Sequence, residues 1–333
     1  QAVAEAIDLE DFIDFVLLHT YLGNANVELM GGPTWEDDNN YFAGRHSDGK
    51  WGWRFFVWDA EETLLGLDDN FLQSAGRPAI LLKLIRNSDF RIAFADRVFE
   101  HLFEGGALTA ERSRSRYAAL AHEIDLAIHA EAARWGWVER PGDPYDHADW
   151  EVEKARLLDE YFPQRSEIVI EQLRLGGLYP GIDPPTVSFD SGSLIMAADL
   201  GEIYYTLDGS DPRSPGGGVA PGALRFTGAV PIGMDVPLKA RAMLNRGWSA
   251  LRDEMVVAGP VAATSQNFKL TEILHTGAVE FLEFWNPSDR PVAIGGLISN
   301  DEGQFVFPEG MVLEPGAYIL AVSDILLFEE FYG

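Results

Sequence analysis

The sequence predicts a multidomain α+β chain, with a mainly helical N-terminal half followed by two immunoglobulin-like β-sandwich domains. Three observations carry that prediction. Apolar residues keep a helical spacing from Asp8 to Leu22 and again from Pro78 to Gly176. The pattern changes at the Gly/Pro-rich LYPGIDPP, residues 178–185. Beyond it, period-two alternation punctuated by Gly and Pro turns gives sandwich-like texture. The expected domains are 1–180, 184–258 and 267–333, the last two separated by the low-charge AGPVAATSQ.

The elements follow in order. Leu9, Phe12, Ile13, Val16 and Leu17 lie on one face of a first helix. After an irregular Gly/Asn/Asp stretch, residues 40–45 and 53–58 read as two strands joined by the turn SDGK. PAILLKLIRNSDFRIAFADRVFEHLF gives two helices split near Asn87–Asp89. The next helix starts from Thr109 as cap with Glu111 in its first turn, and the last is expected to break near Pro163. Five strand-like runs make the first β unit and about as many the second.

Composition excludes several classes of function. A chain of 333 residues with 47% hydrophobic content can bury real cores. The absence of cysteine rules out disulfides, thiolate metal sites and a cysteine nucleophile. A net charge of −28 argues against nucleic acid or anionic membrane as partner, because phosphate contacts need clustered Lys and Arg. No run is long and apolar enough to span a bilayer, and the N-terminal helix lacks the basic start of a signal peptide. With no initiator Met and an ending on EEFYG, the sequence is expected to be a fragment.

The densest chemistry lies between Thr34 and Gly66. Carboxylates or carboxamides fill every position from Glu36 to Asn40, and Asp59 closes the strand FFVWD. Phosphoryl transfer needs a divalent metal on a few oxygen ligands and an acid that orients the acceptor. A hairpin closed by SDGK brings Asn39 and Asn40 beside Asp59, a ligand set suited to Mg²⁺. An acidic surface loop next to a hairpin gives the same pattern, so both readings stand at this level.

FIDFVLLHTYLGN, NNYFAGR, GKW and RFFVWDAEETLLG together resemble the CotH kinase family, and the likeness continues through YFPQRSEIVIEQLRLGGLYP. The resemblance implies the C-terminal part of an atypical protein kinase-like domain, secreted, periplasmic or at the cell surface. It would move phosphate from ATP to Ser/Thr of an extracellular or envelope protein, with Mg²⁺ or Mn²⁺. Carried over, Asp59 matches the family's metal-binding Asp, Glu61 the second acid of that motif, and Asn39 or the adjacent Asn40 the other metal ligand. Thr34 stands where the family has its catalytic acid, and threonine cannot accept a proton at neutral pH. Either Asp37 or Asp38 takes that role, or this member is catalytically weak. Trp58 is expected to pack and fix the backbone at Asp59.

The family's nucleotide lobe has no counterpart in these residues. There is no Gly-rich phosphate loop, and none of Lys50, Lys83, Lys154, Lys239 and Lys269 fits a nucleotide-binding strand. The chain itself is therefore expected to be inactive and not to hold ATP tightly, and it has no cofactor-binding residue to assign.

GEIYYTLDGSDP with KARAMLNRGWS resembles the chitobiase/β-hexosaminidase C-terminal type of domain, with Tyr204, Tyr205 and Trp248 as packing residues. FKLTEILH, VEFLEFWNPSDRPVAIGGLISND and FVFPEG resemble a lamin-tail domain, which the resemblance implies is truncated. The competing function is a non-catalytic extracellular scaffold or adhesion protein whose β domains hold protein or glycan partners.

Overall fold

Helix α1 (Leu9–Leu22) organises the N-terminal region. Asp8 caps it by accepting the Asp11 N–H at 3.4 Å, and Gly23 ends it in the left-handed region at φ 65°. A Cβ at Gly23 would stand 2.9 Å from that of Asp69, so only glycine fits both the angle and the space. Phe12, Ile13, Val16 and Leu17 are fully buried, as their spacing predicts. The structure is a computed structural model that describes residues 6–24, 41–73, 79–190, 192–276, 279–297 and 305–332.

The N-terminal half of α1 holds the expected hairpin. Strands β1 (Tyr41–Gly44) and β2 (Arg54–Val57) run antiparallel, from Tyr41 opposite Val57 to Gly44 opposite Arg54. Asp8 accepts from Arg54 Nε at 2.8 Å, and Asp11 accepts the Phe55 N–H at 2.7 Å. Desolvation pushes the Asp11 carboxyl above its ordinary pKa despite that hydrogen bond. The Phe55 ring packs against Phe12 and Phe15, with centroids 5.4 and 5.7 Å away. Helix and hairpin are thus joined by a polar clamp and an aromatic cluster at once.

The remaining helices are α2 (Ala79–Leu84), α3 (Ser88–Leu102), α4 (Ala110–Glu139), α5 (His147–Arg156) and α6 (Phe162–Leu175). Asn87, at the expected split between two helices, caps α3, and Thr109 precedes α4 as its N-cap residue, as predicted. The break near Pro163 is a π-helical turn, Leu157–Tyr161, entering α6. Proline has no N–H to donate four residues back, so the ladder slips by one residue just before it. Asp14 of α1 ties to α3 through Arg97, whose Nε stands 2.8 Å from its carboxylate.

The strands that follow are β3 (Thr186–Asp190), β4 (Ser193–Ala197), β5 (Glu202–Thr206), β6 (Leu224–Arg225), β7 (Val230–Pro231), β8 (Val236–Leu244), β9 (Gly247–Trp248) and β10 (Arg252–Val256). Then come β11 (Val261–Ala262), β12 (Lys269–Leu274), β13 (Phe281–Trp285), β14 (Val292–Ala293), β15 (Val312–Leu313), β16 (Tyr318–Val322) and helix α7 (Ile325–Tyr332). They form small sheets in the orders β10-β8-β5-β6 with β9 on β8, β3-β4-β7, β11-β14-β15 and β12-β13-β16.

These sheets are open, and this corrects the expectation of two immunoglobulin-like β-sandwich domains. The architecture is a mixed α+β one with a helical N-terminal region. Period-two alternation specifies one buried face per strand but not what covers it. Around β8 the cover includes helix: Arg241 reaches Asp96 of α3, and Ala250 belongs to the same core as Phe90 and Phe94. Several pairings are only two residues long, too short to build the facing layers of a sandwich.

The chain divides into two compact units. The first comprises Gln1–Thr186, Ala197–Phe226 and Leu238–Asp253, and the second Val187–Met196, Thr227–Pro237 and Glu254–Gly333. In the first, Tyr205 and Trp248 are buried as packing residues, and the Trp248 ring meets Tyr204 edge-on at 5.8 Å. In the second, Val292, Ile294, Phe307 and Leu313 form a core, with the Phe268 and Phe284 rings stacked 4.7 Å apart beside it. Asn286 is fully buried there. Its amide donates to the carbonyls of Arg290, Leu313 and Glu314, and its oxygen accepts from Ser288. Among the described residues no helix is long and apolar enough to cross a membrane.

Candidate functional site

Strand β2 ends at Val57, and two residues later Asp59 sits in the left-handed region at φ 52°. Aspartate tolerates that region better than most side chains, which makes the sharp turn after the strand possible. Its carboxylate is exposed and makes no hydrogen bond or ion pair among the described residues. Glu61 is exposed as well. Trp58, expected to pack beneath this turn, is instead 66% exposed and joins Phe42, Trp51, Trp53 and Phe56 as uncovered aromatics of the hairpin. A strand end alternates its faces, and here the face of Trp58 has no layer over it.

The segment beyond Asp59 is fastened to the C-terminal end of α1. Leu64 N–H donates to Leu22 O at 2.8 Å, and Arg156 donates to Leu64 O at 2.6 Å. Arg165 of α6, fully buried, spans both sides. Its guanidinium donates to Thr20 O and Tyr21 O at the end of α1 and to Leu67 O and Asp69 O in the segment. A helix leaves its last carbonyls without partners, and Arg165 serves here as a side-chain cap. Desolvation pulls its pKa down, with no carboxylate among its hydrogen-bond acceptors.

His19, on the same last turn, is fully buried with neither ring nitrogen bonded. Its ring lies edge-on to Phe15 at 4.3 Å. Burial pushes its pKa down from 6.5 to about 4. The unfolded chain therefore binds a proton that the folded one refuses. The contribution to stability is full above pH 6.5 and is lost as pH falls through 6.5 toward 4. At pH 5 the loss is about 2 kcal/mol, and urea titrations at pH 7.5 and pH 5 should show it in the wild type but not in His19→Leu.

Asp37, Asp38, Asn39 and Asn40 lie outside the described residues. Asp59 and Glu61 are the two predicted site residues that the structure places. Tyr41, which follows Asn40 directly in the chain, pairs with Val57.

A second cluster is assembled by helix packing rather than by a motif in the chain. Asp125 of α4 with His147 and Glu151 of α5 is the one grouping of three such side chains among the described residues with ligand atoms within 4.8 Å of one another. His147 and Glu151 are four apart on one helix face, a spacing visible in the sequence, but Asp125 arrives only through helix packing. His147 Nε2 stands 3.3 Å from Asp125 Oδ1, and His129 stacks on the His147 ring with centroids 4.0 Å apart. The Lys154 ammonium already occupies the same cluster, paired with Glu151 and 3.5 Å from Asp125. Desolvation raises the Asp125 carboxyl, but hydrogen bonds from Trp150 and His147 and the Lys154 charge outweigh it and leave the pKa lowered. Three donors could share a cation only if it displaced that ammonium, so the cluster acts first as an ionic tie between α4 and α5.

Together these features define a helical module that presents an acidic strand end on a rigid hairpin. Residues 1–169 match the profile of the CotH kinase protein family, just over half of the 333-residue chain. The chain belongs to this family. No curated protein matches it.

Proposed function

We propose that the protein takes part in metal-dependent phosphoryl transfer from ATP to a hydroxyl acceptor, Ser or Thr of an extracellular or envelope protein. The observation that carries this reading is the exposed, unpaired carboxylate of Asp59 just beyond β2 in a chain of the CotH kinase family. Asp59 and Asn39 or Asn40 are the proposed ligands of Mg²⁺ or Mn²⁺, with Glu61 beside them. Their hard oxygens match that class of cation, which favours one or two carboxylates completed by water and phosphate. Covalent geometry supports the pairing, since the Cα of Asn40 is about 3.8 Å from that of Tyr41, whose partner is two residues from Asp59.

Bound, the cation would neutralise charge on the transferring phosphoryl group. This chain's own residues would hold it in place and orient the acceptor. Asp37 or Asp38 is the proposed group that accepts the hydroxyl proton, because Thr34 is unable to. The anchored segment after Asp59, held by Arg156 and Arg165, keeps the ligand carboxylate in register with the hairpin. Placement outside the cytoplasm, and the lamin-tail and hexosaminidase-type kinship of the later strands, rest on sequence resemblance.

Calorimetric titration with ATP in the presence of Mn²⁺, on this chain joined to the nucleotide lobe that the family resemblance implies, tests the reading. Binding that requires the metal and falls at least 100-fold in Asp59→Ala is the expected result. Metal-independent binding, or binding that Asp59→Ala leaves unchanged, sinks it.

A further inference from the structure

A cleft of about 420 Å³ in the first unit gathers Arg91, Arg213 and Arg246 against a wall that includes Tyr179, Pro180 and Trp248. In a chain with 53 acidic and 25 basic residues, three arginines lining one cleft stand out. Arg91 and Arg246 have no carboxylate partner among the described residues; Arg91 is steadied by donating to Ile85 O at 2.8 Å. Arg213 is buried, with only 6% of its side chain exposed. It gives one nitrogen to Asp89 at 2.5 Å, while its Nε has no partner. Asp89 also accepts the Gly216 N–H, so its charge is spent on Arg213 and that loop, leaving two guanidinium charges uncompensated.

Backbone conformation points the same way. Asn245 and Arg246 form the two-residue turn between β8 and β9, both at positive φ, 51° and 67°. The second position of such a turn favours glycine, and here it holds an arginine that lines the cleft. The Trp248 ring, buried behind the cleft, is fixed by its Nε1 donating to Gly217 O at 2.8 Å and so holds the Gly216–Gly217 loop in place.

We infer that this cleft is a binding site for a small phosphomonoester carrying a flat or apolar group. Planar guanidinium forks match phosphate oxygens, and the apolar side of the cleft, with Ile92 and Pro180 half-exposed, receives the body of the ligand. The site is independent of the Asp59 reading and stands or falls separately.

Calorimetry of the whole chain with phenyl phosphate, inorganic phosphate and benzoate provides the test. Phenyl phosphate should bind more tightly than either of the others. Arg246→Gly should weaken it at least tenfold while raising the melting temperature, since glycine relaxes the turn; Arg91→Gln should weaken it similarly. Absence of phenyl phosphate binding at millimolar concentration overturns the inference. So does benzoate or inorganic phosphate binding as tightly, or affinity unchanged in both variants.

Discussion

Arg241→Ala is expected to destabilise the first unit by about 3 kcal/mol, the low end of the cost of breaking a buried ion pair. The side chain is 1% exposed and forks between two carboxylates. Nη1 and Nη2 each stand 2.7 Å from an Asp96 oxygen, while Nε and Nη2 reach Asp211 at 2.8 and 2.6 Å. Removing it leaves two carboxylates facing one cavity. The low end applies because Asp96 and Asp211 are themselves 26% and 36% exposed and keep part of their hydration.

The pH dependence follows from Asp211. Desolvation raises its carboxyl, but the hydrogen bonds and charge of Arg241 outweigh that and hold the pKa below its ordinary 3.8. This contribution is present above the unfolded pKa and lost as pH falls through the folded one. The gap between wild type and variant should therefore be full at pH 7 and narrow below about pH 4. Urea unfolding at the two pH values measures it; a gap that is constant or widens in acid contradicts the account. Adding Asp96→Asn and Asp211→Asn to Arg241→Met should recover much of the loss, because the damage lies in the stranded charges.

Arg165→Met should cost about 4 kcal/mol, since it orphans four backbone carbonyls at once and each charged hydrogen bond is worth roughly 1.5–3 kcal/mol before relaxation. The side chain is fully buried, and its bonds to Tyr21 O and Asp69 O are 2.7 and 2.8 Å. Arg165→Lys keeps the charge but lacks the planar fork, so about half the loss is expected there. Hydrogen exchange distinguishes this from a general weakening. The Asn24 amide, bonded to His19 O at 3.1 Å, should lose protection well before the amides in the middle of α4. Equal loss at both would mean that Arg165 does not act as a local cap.

The legible parts of the fold are those specified locally. Thr109 announced a helix start, apolar spacing from Asp8 and the split near Asn87–Asp89 marked two more helices, and the SDGK turn announced a hairpin whose register then followed from geometry. What strands pack against is a long-range matter. Arg241 in KARA reads as a strand residue, and its partner Asp96 lies 145 positions away. No alternation pattern distinguishes a face covered by a helix from one covered by a second sheet, which is why two closed sandwiches were expected and open sheets found. In the candidate site, Asp59 was legible as a strand-end carboxylate, but the exposure of Trp58 was not, because an aromatic beside a strand end is usually buried. The Asp125–His147 contact depended on the packing of α4 on α5, which spacing within one helix leaves undetermined.

The clamp made by Arg165 also bears on how this protein can change. Asn24 is fully buried at the end of α1 and Tyr41 is paired with Val57, so residues 25–40 connect two fixed anchorages. Lengthening such a connection costs little, about 0.6 kcal/mol for each doubling. A change in the number of residues between these anchorages therefore need not disturb the hairpin or Asp59. Sequence change between the two anchorages is thereby decoupled from the stability of the supports on either side.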